Sequence, residues 1–403
     1  MLAPLVSVIL TNYNHSKYVA EAIESVLMQS FKDFELIIID DASSDSSFAV
    51  IKKYNDKRIK FIKNEFNLGQ CRSINLGISL SQGKYIAHLC SDDRFFSIDK
   101  LQKQVDFLEN DKNSSYGAVF TLANVITENG KKLLDKKNMH YGIFDKAKNR
   151  NSQDWLRYFF FEFNCLCFPS ALVRKDCYDK LGLFDARYTV MLDFDMWIRL
   201  LMKYNIHVLQ EKLLDFRVGE SSNSSKSNAL MIAGFECSNA ISHFFKIDDF
   251  YLLEKVFKIK KEDLALEFNI NIKDESVFNR KEFCNFVVLM ISLRAKTLPH
   301  ANFFLKYFFE SLSSENFINM LDSVGFSRSS FYKVRNDLLE RVCVNKVYLS
   351  SSDTSFVEIS TIPHFAKILK KSTLFHKIIN PLKALKRYCI KKEIKKYERK
   401  FKQ

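Results

Sequence analysis

Three carboxylate pairs in this 403-residue chain fall where side chains can do chemistry. Asp92 and Asp93 stop a short apolar run made by Tyr85, Ile86, Ala87 and Leu89. Asp40 and Asp41 stop a second run, FELIII at 34–39. Asp193 and Asp195 stand at the head of an apolar stretch with Met196, Trp197, Leu200 and Leu201. A buried strand that ends in acids delivers them to the carboxyl edge of a sheet, where α/β folds hold ligands. Oxygen donors of this kind suit Mg²⁺ or Mn²⁺, held by one or two carboxylates and the phosphates of a nucleotide. The plainer alternative is that Ser91 and Asp92 cap a helix beginning near Ser97. For the third pair, one acid can cap the following helix, at about 1 kcal/mol. The other is then free to act as a general base beside an aromatic ring. Two solvated acids at a helix start is the alternative.

The elements that must carry these residues follow from periodicity. Residues 5–11, 34–39, 59–63 and 84–90 read as buried strands. Helical spacing predicts helices from about Lys17 to Gln29, from Ser47 to about Tyr54, and after the Asn67–Leu68–Gly69 turn. Alternating strands and helices predict an α/β, doubly wound, mostly parallel sheet, with Thr11, Asp41 and Asp93 at strand ends. Further on, 116–121 and 168–173 read as strands, the Lys-rich 129–150 as a loop bordering the pocket, and Trp155–Phe163 as a helix on the sheet. The polar run SSNSSKSN at 221–228 reads as a linker. This sets a domain boundary near 225. The expected division is a catalytic domain at 1–225, a mainly α-helical region at 226–340 and a basic tail at 341–403.

Composition narrows the class. A 47% hydrophobic and 14% aromatic content belongs to a folded chain with a sizeable core. No apolar stretch reaches the roughly 18–20 residues needed to span a bilayer, and MLAPLVSVIL lacks the basic start of a signal peptide. Nine scattered cysteines without zinc spacing fit a reduced, cytoplasmic chain. The net charge is +14, and residues 376–403 supply +9 of it through eleven Lys or Arg against two Glu. The apolar repeat Ile378, Leu382, Leu385, Cys389 predicts a basic amphipathic helix over 378–401. That helix could lie on an anionic membrane surface at the inner face of the cytoplasmic membrane, or dock on its own domain. No recognised nucleic-acid-binding fold accompanies the charge, so nucleic acid is not an expected partner.

Four segments in order resemble the inverting family 2 glycosyltransferases of the GT-A fold, of the bacterial surface-polysaccharide type. They are VSVILTNYNHSKYVAEAIESVLMQSFKDFELIIIDDASSD (6–45), NLGQCRSINLGISLSQGKYIAHLCSDD (67–93), FPSALVRKDCYDKLGLFD (168–185) and LDFDMWIRL (192–200). The resemblance spans roughly residues 4–220. It implies that Thr11 and Tyr13 contact base and ribose and that Asp41, with Asp40, accepts a hydrogen bond from the base. It further implies that Asn67 and Gln70 line the sugar-nucleotide pocket, that Asp92 serves ribose or the metal's surroundings, and that Asp93 ligates Mn²⁺ or Mg²⁺. Asp193 takes the place of the catalytic base, with Trp197 and Asp195 on the acceptor side. Two positions depart from the pattern: Leu192 stands where relatives often have Glu, and Gly219 and Glu220 where they often have His.

The function these readings predict is metal-dependent, inverting transfer of a sugar from a nucleotide sugar, UDP-linked by expectation. The acceptor would be a glycan or lipid-linked glycan hydroxyl in capsule, O-antigen or lipooligosaccharide synthesis. Two alternatives remain at this stage. A sugar nucleotidyltransferase shares the sheet and metal chemistry, but residues 11–18 offer no Gly-rich basic loop. The other is a non-catalytic scaffold held at the membrane by the tail.

Overall fold

A computed structural model describes residues 3–219, 229–295, 297–326 and Val334. The chain divides into two compact units at His243/Phe244.

The first unit is built on β1 (Val6–Asn12), β2 (Phe34–Asp40), β3 (Ile59–Lys63), β4 (Tyr85–Cys90), β5 (Arg94–Phe95), β6 (Tyr116–Thr127), β7 (Leu172–Arg174) and β8 (Asn205–Val218). They form one eight-stranded sheet in the order β3-β2-β1-β4-β7-β6-β8-β5. The β3-β2-β1-β4 half is parallel; β7 runs antiparallel to β4 and β6, and β5 antiparallel to β8. Its helices are α1 (Val19–Leu27), α2 (Ser47–Ile51), α3 (Gln70–Leu80), α4 (Lys100–Asn110), α5 (Ser152–Glu162), α6 (Lys175–Leu181), α7 (Leu192–Leu201) and α8 (Ala229–Ile241).

Every residue of β1 is buried, because helices cover both faces of a parallel sheet. Val6, Val8 and Leu10 face α1, whose Val19, Ala22, Ile23 and Val26 are buried in the same core. Ile9 faces α3, and a Cβ added at Gly77 would sit 2.4 Å from Ile9 Cγ2. Only glycine permits that approach. The strand order reverses between β1 and β4, so the crevice beyond their carboxyl ends is the fold's natural ligand position. There Thr11 pairs with Cys90, and Asn12 with Asp40.

Three expectations change. The run 168–173 is a short 3₁₀ turn at Phe168–Ser170 followed by the brief β7, since Pro169 carries no ladder donor. The helix expected near Ser97 starts at Lys100, after the two-residue β5, and its N-cap Asp99 makes no side-chain capping bond, its Oδ1 accepting from Ser30 Oγ instead; neither Ser91 nor Asp92 caps it. Helix α8 lies in the first unit, beyond the boundary expected at 225.

The second unit contributes α9 (Phe250–Phe257), α10 (Lys261–Phe268), α11 (Lys281–Ser292), α12 (Leu298–Ser311) and α13 (Glu315–Ser323), with no strand among the described residues. Phe283 and Phe286 of α11 and Phe308 of α12 belong to its aromatic core, with Phe317 and Phe326 against Phe308. The tail 341–403, including the amphipathic stretch 378–401, lies outside the described residues. Among those described, no helix is long and apolar enough to cross a membrane, and the seven cysteines are free thiols.

Candidate active site

The site is assembled where β1, β2 and β4 end. Asn12 donates from Nδ2 to Asp40 Oδ1 at 2.7 Å and to Ser43 Oγ at 3.1 Å, and Ser43 Oγ donates back to Asp40 at 2.5 Å. Asp40 is thereby sealed, with no exposed surface. Asp41 accepts from Asn64 Nδ2 (2.7 Å), Leu68 N (2.8 Å) and Gly69 N (2.9 Å). It fixes the turn that launches α3, in which Gly69 adopts φ +85°, a conformation that favours glycine. Each carboxylate expected to meet the nucleotide base is engaged first with its own chain. Thr11 is buried at the end of β1, whereas Tyr13 and Asn67 are exposed. Gln70 Nε2 lies 3.4 Å from Cys90 Sγ, which connects α3 to the end of β4.

Beyond β4, Ser91 N donates to Thr11 O, and Ser91 Oγ lies 2.9 Å from His15 Nδ1. Asp92 keeps 14% side-chain exposure, with one oxygen 3.9 Å from the same His15 nitrogen. Asp93 is deeper, and its Oδ1 accepts from Arg217 N at 2.7 Å, joining the end of β4 to the end of β8. Burial raises the Asp92 carboxyl above its ordinary range, against the charges of His15 and Arg217. Burial and then the Asp92 charge push Asp93 well up, against Arg217. Two adjoining buried carboxylates disfavour joint ionisation unless a cation offsets them. One ligand atom each from Cys90, Asp92 and Asp93 lie within 4.8 Å of one another.

The second acidic pair splits. Asp193 is half-buried; its Oδ2 accepts from Asn164 Nδ2 and its Oδ1 from Phe194 N, both at 2.7 Å. Burial raises its pKa to about 6, although both hydrogen bonds favour the ionised form. Asn164 follows Phe163, whose φ of +62° is strained for an aromatic residue. Asn14 (φ +56°) and Ala42 (φ +60°) are strained likewise beside the β1 and β2 ends. Such outliers gather at sites whose surroundings hold them in place. Burial, with the charges of Asp93 and Asp193 among the further causes, raises the thiols of Cys90 and Cys167 well above their ordinary range.

Asp195 and Trp197, expected on the acceptor side, are both buried. Asp195 is buried between Arg199 (2.8 Å) and His243 (2.7 Å). Burial alone would raise its pKa; the His243 hydrogen bond and the Arg199 charge lower it instead. Trp197 is fully buried, edge-on to Phe120 at 4.9 Å and against Phe168 and Phe184. The ring lies on the core side of an amphipathic helix, where sequence proximity to Asp193 gives no access to solvent.

Sequence reasoning missed the partners. His15, Asn164, Arg217, Glu236 and His243 come from five separate segments, and none has a local spacing to the acid it serves. Glu236 of α8 accepts from Thr189 N, Thr189 Oγ1, Val190 N and Met191 N at 2.7–2.9 Å. It binds the loop entering α7, whose own N-cap Met191 has no side chain able to cap. Arg217 also pairs with Glu21, which it shares with Arg94. Beside Arg217, an open depression of about 470 Å³ is lined by Thr127, Glu128, Asn129, Leu133, Asn138, Val218 and Gly219.

Residues 7–181 match the family model described as glycosyl transferase family 2. The uncharacterized glycosyltransferase MJ1057 of Methanocaldococcus jannaschii is 32% identical over 68% of this chain and 94% of its own length. An Escherichia coli protein named UDP-Glc:alpha-D-GlcNAc-diphosphoundecaprenol beta-1,3-glucosyltransferase WfaP is 28% identical over 60% of this chain and 91% of its own. Among solved structures, S. aureus TarS 1–349 in complex with UDP-GlcNAc is similar at 16% identity and TM-score 0.48, covering 72% of this chain and 82% of that one. The chain belongs to glycosyl transferase family 2 and is a glycosyltransferase with an α/β fold.

Proposed function

We propose that this glycosyltransferase moves a sugar, with inversion, from a nucleoside-diphosphate sugar to a hydroxyl of a glycan or lipid-linked glycan, and that it requires a divalent cation. The observation that carries the reading is Asp193: a partly exposed carboxylate, held by Asn164 Nδ2 and Phe194 N, whose pKa burial raises to about 6. A general base works best when its pKa lies near the working pH. At neutral pH Asp193 is mostly ionised yet still basic enough to accept a proton from the acceptor hydroxyl. As that proton moves to Asp193, the acceptor oxygen forms its bond to the anomeric carbon. The bond from that carbon to the diphosphate oxygen breaks on the opposite face, and the electron pair leaves with the nucleoside diphosphate.

Asp92, the more accessible of its pair, would hold Mg²⁺ or Mn²⁺ with Asp93 behind it. Hard carboxylate oxygens fit both ions, and the adjoining buried acids call for positive charge. When bound, such an ion supplies Lewis-acid stabilisation of the departing diphosphate. Asn164 orients Asp193, His15 faces Asp92, and the exposed Tyr13 ring offers a stacking surface for a base. The name of the Escherichia coli relative favours a UDP-linked donor and a lipid-diphosphate-linked acceptor, the chemistry of bacterial surface-polysaccharide assembly at the inner face of the membrane.

The test is a screen of nucleotide sugars with Mn²⁺ and with Mg²⁺, scored by release of nucleoside diphosphate. Wild-type turnover that is lost on chelation and in both Asp92→Asn and Asp193→Asn supports the reading. Release of pyrophosphate from a nucleoside triphosphate instead would make the chain a nucleotidyltransferase and overturn it.

A further inference from the structure

The loop between β6 and α5 presents two chemically different faces. Inward, Leu133, His140 and Phe144 are buried, and the rings of His140 and Phe144 lie 5.6 and 5.2 Å from Phe216 of β8. The loop therefore has an aromatic footing on the sheet. Outward, Leu134 is 76% exposed, Met139 56% and Tyr141 43%. Single exposed apolar residues are ordinary, but a cluster rimmed by polar groups marks an interaction surface.

The rim is cationic. Lys131, Lys132, Lys136 and Lys137 are all exposed, and none has an ion pair among the described residues. The loop also carries three acids, Glu128, Asp135 and Asp145. Asp135 Oδ1 accepts from Lys137 N at 2.9 Å, and Asp145 pairs with Lys212 at 2.7 Å. Three exposed apolar side chains and four lysines without ion pairs, within eleven residues that hold one acid, Asp135, match one partner closely: the surface of an anionic bilayer. Headgroup phosphates meet the lysines, and the acyl boundary takes the apolar side chains. An acidic protein would satisfy the lysines but gives no reason for three apolar tips among them.

We infer that the 131–141 loop docks this chain onto anionic lipid. Leu133 and Asn138 of the same loop line the open depression beside Arg217. The contact is independent of the transferase reading, because partition onto lipid requires no catalysis.

The full chain with Leu134→Trp provides the test. Trp155 and Trp197 are the chain's two native tryptophans and are fully buried, so an indole at the loop tip reports on the loop. Vesicles carrying brominated phosphatidylglycerol are expected to blue-shift and quench the added emission; phosphatidylcholine vesicles are not. In the otherwise native chain, Lys136→Gln with Lys137→Gln is expected to weaken partition onto phosphatidylglycerol vesicles by about tenfold or more, at roughly fivefold per lysine. Sedimentation with those vesicles without quenching would assign the contact to the basic tail and overturn the proposal. So would undiminished partition of the double variant, or a failure of the native chain to bind them.

Discussion

Two acidic pairs flank this site, and each divides its labour in the same way. At the end of β4, Asp93 is buried and accepts from Arg217 N, while Asp92 stays partly open beside His15. At the head of α7, Asp195 is buried between Arg199 and His243, while Asp193 stays half-open with only neutral donors on it. One carboxylate of each pair ties distant elements together; its neighbour is left to meet a ligand. The pairs differ in the charge around them. The His243 hydrogen bond and the Arg199 charge hold the Asp195 pKa below the usual carboxylate range, whereas burial lifts Asp193 to about 6. A cationic partner stabilises the ionised acid and makes it a poor base; desolvation without one does the reverse.

The most severe break of this contrast is Asp193→Asn. The substitution removes the proton acceptor and a buried charge together, while Asn164 stays oriented by Leu166 N, which donates to its Oδ1. Turnover with acceptor is expected to fall about 10²- to 10⁴-fold. The thermal midpoint at pH 7.5 should hold or rise, because the burial cost of the charge is gone. A variant within tenfold of wild type would move the base elsewhere.

Asp195→Ala tests the opposite half. Arg199 and His243 would be left without their carboxylate, a loss of about 3 kcal/mol by analogy with broken buried pairs. Denaturant midpoints should fall accordingly, with turnover per folded molecule little changed. Glu236→Ala belongs to the same class, since it strips one acceptor from four donors ahead of α7. Selective weakening of acceptor affinity in Asp195→Ala, without loss of stability, would place that residue on the acceptor side.

The same contrast explains what the chain disclosed before its fold was seen. The parallel half was legible because helices bury both faces of its strands, so β1, β2 and β4 announce themselves as mostly apolar runs, each broken once by Ser7, Glu35 or His88, that end in polar residues. The acids at those ends were legible for the same reason. Their partners were not. Arg217 reaches Asp93 across 124 positions, and Glu236 reaches Thr189 across 47. No periodicity connects such residues; only the sheet order does. The burial of Trp197 was not legible, because its position beside Asp193 in sequence says nothing about which side of α7 it occupies. Nor was that of Asp195, whose partner His243 comes from a segment assigned to another domain.

Trp197→Phe sharpens that last point at smaller magnitude. The lost ring volume leaves a void against Phe120, Phe168 and Phe184, for a cost of about 1–3 kcal/mol in stability. Acceptor KM should not change. A rise in acceptor KM at unchanged stability would mean that the acceptor reaches the ring and that the buried position does not describe the working enzyme.

Asn164→Ala is the mildest change and the most exacting. The Asn164 amide donates to Asp193 Oδ2 and favours its ionised form, so it pulls down a pKa that burial holds up at about 6. In the native enzyme turnover should fall as pH drops through about 6, because protonation removes the base. Without Asn164 the opposing influence is gone and the pKa rises, so the acid limb should move to higher pH, by up to about one unit. Activity at pH 8, where the base is ionised in either protein, should differ by only a few-fold. A limb that stays near 6 in Asn164→Ala would mean that the titrating group is not Asp193. The division of labour within the second pair would then fail, even with the first intact.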